Sequence, residues 1–192
     1  MVKNPDKRTE IMQVALQLLT ERGFDRVPMS MIAEKANVAV GTIYIYFASK
    51  DILIKEIFAD MENNIFSTLR KVYSADESIR NNFLQITKAL IEYFINHPLY
   101  FGYMEQFLNS PFGISLRRDK LSGKMHKDNV FMDIFKTGIG SKILKDLPVE
   151  ILFSLSIAPI VFLMRDHILG FTKLNNTLID KFTEACWDGI KR

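Results

Sequence analysis

Between residues 53 and 72 an apolar stripe runs through Leu53, Ile57, Met61, Ile65, Leu69 and Val72, spaced 4, 4, 4, 4 and 3 apart. That spacing keeps them on one face of an α-helix. With its start at Ser49, the helix runs for about 25 residues, or about 37 Å at 1.5 Å per residue. A chain built around such a rod has no need of sheets, and its punctuation agrees. The 192 residues hold 9 Gly and 6 Pro, too few for the turn every 8–12 residues or so that a many-stranded sandwich or barrel requires. The chain is 48% hydrophobic and 24% charged, which excludes a disordered protein. A single cysteine, Cys186, excludes an internal disulfide framework and a cysteine-based zinc finger. The longest uncharged run, Ile151 to Met164, contains Pro159 and is short of the roughly 17–25 residues of a spanning helix. No apolar run follows Met1, so no export signal is expected. The expectation is a largely helical cytoplasmic protein with no membrane partner.

Other stretches repeat the helical pattern. Ile11, Val14, Ala15, Leu18 and Leu19 form a stripe, with Asn4-Pro5 as the expected cap and first turn. Gly23 is the expected stop, with Phe24 folding back on Leu19. Short helices are expected from Met29 to Ala36 and from Val40 to Phe47, joined by a turn in which Asn37 takes a positive φ. After the long helix come Ile79 to Phe94, closing at Asn96-His97-Pro98, then Leu99 to Leu108, then one helix from about Leu116 to Thr137. Pro148 opens an apolar helix ending near Gly170, and a last helix runs from about Asn175 to Lys191. The composition changes near residue 50, from mixed and weakly basic to Phe-rich. We read a small N-terminal module over 1–50 and a larger helical body over 51–192.

Three short helices joined by tight turns make a helix-turn-helix, here with its motif at about 28–47. On a helical wheel Val40, Ile43 and Phe47 fall together and are expected to face the first two helices. Gly41, Thr42 and Ile45 fall opposite, with Tyr44 and Tyr46 on the flanks. A solvated helix face ordinarily carries Lys, Glu or Gln, and this one carries no charge. Gly41 lets a backbone approach, Thr42 offers a hydroxyl to a base edge or phosphate, and Ile45 suits a thymine methyl. The two phenols lie at the height of phosphates. The plainer alternative is three core helices of a generic bundle.

The segments Ile32-Ala33-Glu34-Lys35-Ala36-Asn37-Val38, Gly41-Thr42-Ile43-Tyr44-Ile45-Tyr46-Phe47 and Ser49-Lys50-Asp51-Ile52-Leu53 resemble the TetR family of transcriptional regulators over about the first quarter of the chain. The resemblance implies an all-α homodimer. Residues 1–50 would be the DNA-binding head, and 51–192 a ligand-sensing body that dimerises through its last two long helices. It implies DNA contacts at Ser30, Val40, Gly41, Thr42, Tyr44, Tyr46 and Lys50. The chain departs from the family pattern at Pro28, Ser30 and Ala39, each of which removes a polar contact. Up to Lys55 there are eight basic and six acidic residues, a net +2 out of the chain's +3. A few phosphate contacts per half-site are therefore expected rather than a large charged field.

Of the 15 Phe, 13 lie after residue 50, more rings than tight core alone accounts for. Tyr93, Tyr100, Phe101, Met104, Phe107, Phe112, Phe131 and Phe135 are the expected lining of an apolar effector pocket. The helix near 149–169 is apolar on almost every side, more than one body can cover. Ile160, Met164, Ile168 and Phe182 are therefore expected at the dimer interface, with Ile160 facing outward. His97, His126 and His167 are scattered, and no metal site, cofactor or catalytic constellation is expected. Arg117, Arg118, Lys120, Lys124 and Lys127 read as a solvated face, and Cys186 as a core residue. The expected function is a dimeric repressor of transcription, released from a palindromic double-stranded operator by a mainly apolar small molecule. The alternative is a helical lipid or acyl-chain binding protein that does not bind DNA.

Overall fold

The computed structural model describes residues 7–121 and 129–192. Asn4-Pro5, Lys124, His126 and Lys127, singled out in the sequence, lie outside the described residues. Eleven helices are found among the described residues: α1 Lys7–Arg22, α2 Met29–Lys35, α3 Val40–Tyr46, α4 Lys50–Val72, α5 Ile79–Asn96, α6 Pro98–Leu108, α7 Pro111–Leu121, α8 Val130–Gly140, α9 Val149–Ser156, α10 Ala158–Ile168 and α11 Asn176–Ile190. The only β-type pairing among the described residues is an isolated bridge, Leu144 to Lys191.

Helix ends follow the local chemistry. Gly23 adopts φ +86° and donates its N–H to the Leu19 carbonyl at 2.9 Å. Phe24 packs its ring on Tyr103 at 5.3 Å and Phe112 at 6.3 Å. Ser49 caps α4, its Oγ accepting from the Ile52 N–H at 3.2 Å, with Asp51 in the first turn against the helix dipole. The single helix expected over 116–137 is not there. Asn129 has the extended backbone of an N-cap, φ −87° and ψ 99°, and its side chain accepts from Phe131; the preceding helix starts at Pro111 rather than Leu116. The long apolar helix expected after Pro148 also divides, because Pro159 has no N–H to continue the ladder and sits in the first turn of α10.

The chain forms two compact units. One ends at Glu62 and resumes at Leu99; the other comprises Asn63–Pro98 and the later part to Arg192. In the first, Ile11, Leu19, Val27, Ile32, Ile43, Phe47, Leu53 and Ile54 are buried to about 1% exposure or less. Helix α6 completes that core. Tyr103, fully buried, donates its hydroxyl to the Ile54 carbonyl at 2.7 Å, and Gln106 donates to the Thr20 carbonyl at 2.6 Å. Phe107 stacks on Phe58 at 3.9 Å. A buried phenol with a partner avoids the penalty of an unpaired donor, and burial holds the Tyr103 phenol well above its ordinary range.

In the second unit α5 is the central helix, with α8, α10 and α11 against it. Phe83, Ile86, Leu90 and Phe94 are its buried stripe, and Phe83 meets Trp187 at 5.6 Å. Lys88 pairs with Asp180 at 2.8 Å, a contact whose hydrogen bond holds the ammonium pKa above its usual value. The segment after α11 is tied down by the Arg192 N–H to the Ile143 carbonyl at 3.0 Å, and the Ile190 carbonyl accepts from the Lys145 N–H at 2.9 Å. Cys186 is buried, which pushes its thiol up to about 11.

Candidate nucleic-acid interface

The turn between α2 and α3 is set by α2's own closure. Asn37 has φ 52°; its N–H reaches the Glu34 carbonyl at 3.1 Å and the Val38 N–H reaches Ala33 at 3.0 Å. This pair of bonds is a Schellman closure, which ends a helix and redirects the chain sharply. Pro28 and Ala39, the residues before the two helices, have extended backbones and give no side-chain cap.

On α3, Ile43 and Phe47 are fully buried, while Ile45 is 80% exposed, Tyr44 51% and Tyr46 38%. Gly41 is exposed and Thr42 half-buried. A Cβ built on Gly41 would meet nothing within 4 Å, so packing within the chain does not demand glycine there. Ser30 is exposed on α2, and Lys50 is half-buried at the start of α4. Val40 corrects the helical wheel. It is 41% exposed rather than facing the first two helices, because α3 is two turns long and its first residue lies at the edge of the contact with α2. Its exposure leaves it on the accessible side with Gly41 and Thr42.

Two of the head's cations are engaged within the chain. Lys7 pairs with Glu10 at 2.7 Å. Arg8 pairs with Glu56 at 2.6 Å, and its guanidinium lies 5.4 Å from the centre of the Phe47 ring. The sequence carries no local signal for this, since Glu56 lies 48 residues from Arg8.

An all-helical unit with a closed helix-turn-helix and an uncharged, exposed second helix is the geometry of a DNA reader. Residues 11–57 match the family model described as bacterial regulatory proteins, tetR family, and residues 78–191 match the one described as tetracyclin repressor-like, C-terminal domain. The chain belongs to the TetR family. An uncharacterized HTH-type transcriptional regulator of Haemophilus influenzae is 24% identical over 97% of both chains. The HTH-type transcriptional repressor KstR of Rhodococcus jostii is 44% identical over 45 residues, 23% of this chain and 21% of that one. Among solved structures, the regulator FadR of Bacillus subtilis in complex with stearoyl-CoA shares the fold, with a TM-score of 0.72 and 18% identity over 94% of this chain and 95% of that one. This TetR-family protein is thus a DNA-binding transcriptional regulator and not an enzyme.

The expected effector residues of this regulator divide between its units. Tyr100, Phe101, Met104, Phe107 and Phe112 belong to the first; Tyr93, Phe131 and Phe135 belong to the second. In the first, Phe107 and Phe112 lie 6.2 Å apart in a ring cluster with Phe58 and Tyr103. In the second, Phe131 lies 6.5 Å from Phe135 and 6.5 Å from Phe153, and Tyr93 stacks on His97 at 4.3 Å. No sequence pattern marks Thr87 on α5, which is fully buried with a hydroxyl that has no partner among the described residues.

The expected dimer residues need a correction. Ile160 is 1% exposed and Met164 fully buried within a single chain, so Ile160 does not face outward. Both pack inside their own subunit. Ile168 is exposed at 40% and Phe182 half-buried. Apolar side chains left uncovered nearby include Ile151, Phe153, Leu155, Phe162, Leu169, Phe171 and Leu178, with Phe171 at 77% and Phe162 at 68% exposure. By length and composition Val149–Ile168 would be able to cross a membrane; its helical run is interrupted at a single residue, Ile157, whose backbone stays in the right-handed helical region.

Proposed function

We propose that this regulator is a dimeric repressor that reads a palindromic operator through α3 and is released by a largely apolar effector. The observation that carries the reading is the exposed face of α3, with Ile45 at 80% and the two tyrosines beside it, in a helix whose other face is sealed by Ile43 and Phe47. Thr42, Tyr44, Tyr46, Ile45 and the Gly41 backbone are the proposed base and phosphate contacts, with Val40, Ser30 and Lys50 beside them. Repression is favoured by the 45-residue likeness to KstR, a repressor. The cytoplasm is the proposed location.

Dimerisation is supported by the uncovered face around Phe162 and Phe171. A dimer with two-fold symmetry places its two reading helices about 34–36 Å apart, or a multiple of that. Selection of binding sites from random duplex should therefore return inverted repeats, and sites without such symmetry would refute the dimeric reading.

The effector is proposed to bury an acyl-like chain among rings of the second unit, near Phe131 and Phe135, since aromatic walls satisfy few polar groups; the same unit holds the buried Thr87 hydroxyl, which has no partner among the described residues. The stearoyl-CoA bound by the FadR relative makes a long-chain acyl-CoA the first ligand to try. Helix α4, which begins at Lys50 beside α3, is the proposed lever. A preference of about 1–3 kcal/mol for the DNA-incompetent form lowers DNA affinity about 5–150-fold, and DNA must weaken the ligand equally. Titration of acyl-CoA with and without the selected operator measures both. Equal ligand affinity in the two titrations would disprove the coupling.

A further inference from the structure

We propose that Arg8 is a positioning residue for DNA reading, clamping the C-terminal end of α3 to α4 through Phe47 and Glu56. This rests on the assignment of α3 as the reading helix. Three observations meet at this side chain. Its guanidinium Nη2 lies 2.6 Å from Glu56 Oε2 on α4. The same group sits over the ring of Phe47 at 5.4 Å, within the range of a cation–π contact. Phe47 is fully buried and is the C-cap of α3, its N–H donating to the Ile43 carbonyl. One residue of α1 thus holds the last turn of the reader and the second turn of α4 together.

The geometry suits arginine in particular. A planar guanidinium can lay one face on a ring while an edge N–H donates to a carboxylate, and a lysine ammonium does not offer both surfaces. The pair is about two-fifths exposed on each side, so it adds little to global stability. What it fixes is an angle. Helix α3 has only two turns, and a tilt at its C-terminal end moves Thr42 and Ile45 off any base they meet.

The sign of one substitution separates this role from plain charge. Glu56 is an anion on a head that must approach phosphates, so on charge alone Glu56→Gln should tighten DNA binding. The clamp predicts the opposite: a loss of about fivefold, the scale of an exposed ion pair, with the salt dependence of binding unchanged because no phosphate partner is removed. Arg8→Lys should weaken binding to a similar extent although the charge is kept. If Arg8 instead touched a phosphate itself, Lys would restore most of the affinity, and Arg8→Ala would lower the salt slope by about one.

The experiment measures affinity for the selected operator, across a salt series, for the full chain and for Glu56→Gln, Arg8→Lys, Arg8→Ala and Arg8→Ala/Glu56→Gln, with Thr42→Ala as the control on the reading helix. Circular dichroism melts check that each variant is folded. The clamp is upheld if Glu56→Gln, Arg8→Lys and Arg8→Ala all weaken binding and Arg8→Ala/Glu56→Gln loses no more than the worse of its two single variants. Tighter or unchanged binding by Glu56→Gln, with Thr42→Ala weakened, overturns the clamp alone. Unchanged binding by Thr42→Ala overturns α3 as the reader, and the clamp with it.

Discussion

Two surfaces of this regulator expose apolar side chains to a similar degree and have opposite chemistry around them. On α3, Ile45 is 80% exposed and stands among a threonine hydroxyl, two phenols and an open glycine backbone. On α10 and the turn beyond it, Phe162 is 68% and Phe171 77% exposed, with Ile151, Leu155 and Leu169 as further uncovered residues. Isolated exposure of a large apolar residue says little. The neighbours make the difference: donors and acceptors around an apolar tip suit a base edge and its methyl group, while a stretch with several uncovered apolar side chains, one of them flanked by the Arg165 guanidinium 5.1 Å from the Phe162 ring, suits another largely apolar surface.

Substitutions on the reading face should leave dimerisation untouched, whereas loss of the dimer also costs paired operator reading. The largest effect is expected from Phe162→Asp. If the face is a dimer interface, each subunit brings a carboxylate into an apolar seam, a cost of about 3–5 kcal/mol, and ultracentrifugation at micromolar concentration should show monomers. A dimer that persists unchanged would remove Phe162 from the interface. Next is the contrast between Ile43→Ala and Ile45→Ala. Ile43 is fully buried, and its truncation should reduce unfolding free energy by about 2–5 kcal/mol. Ile45→Ala should alter it by no more than about 0.5 kcal/mol and be felt in operator sequence preference. Equal melting shifts in denaturant titrations would contradict the sidedness of α3.

Smaller effects belong to the polar groups. Thr42→Ala and Tyr46→Phe should each reduce operator affinity by about 0.5–3 kcal/mol per half-site without changing dimerisation, as read in gel-shift titrations. Lys50→Ala should lower the slope of log affinity against log salt by about one for each phosphate that Lys50 neutralises. A Lys50 variant with an unchanged slope would place that side chain away from the phosphates.

The same two surfaces mark where the chain is legible from its residues and where it is not. Ile43 and Phe47 can be read as the inner face of α3, because a short helix must bury the residues that recur at its period. Val40 cannot, because a wheel treats every turn as equally covered and α3 meets its neighbour along part of its length. The division of the apolar helix at Ile157 is prefigured only by Pro159, and the start of α8 only by the capping preference of Asn129.

The helices themselves, the Gly23 and Asn37 turns and the reading motif follow from local chemistry, since capping, glycine freedom and a 3.6-residue period act within a few residues of one another. The use of each face does not. Ile160 and Phe162 lie two residues apart in a stretch apolar on nearly every side, and their identities do not say which packs inside the chain. Tyr103 and Gln106 on α6 seal the core under α1 and α4, and Arg8 reaches Glu56, across separations that no local pattern records. Burial is settled by what the rest of the chain brings to a surface, and chemically similar faces of a helix become distinct only then.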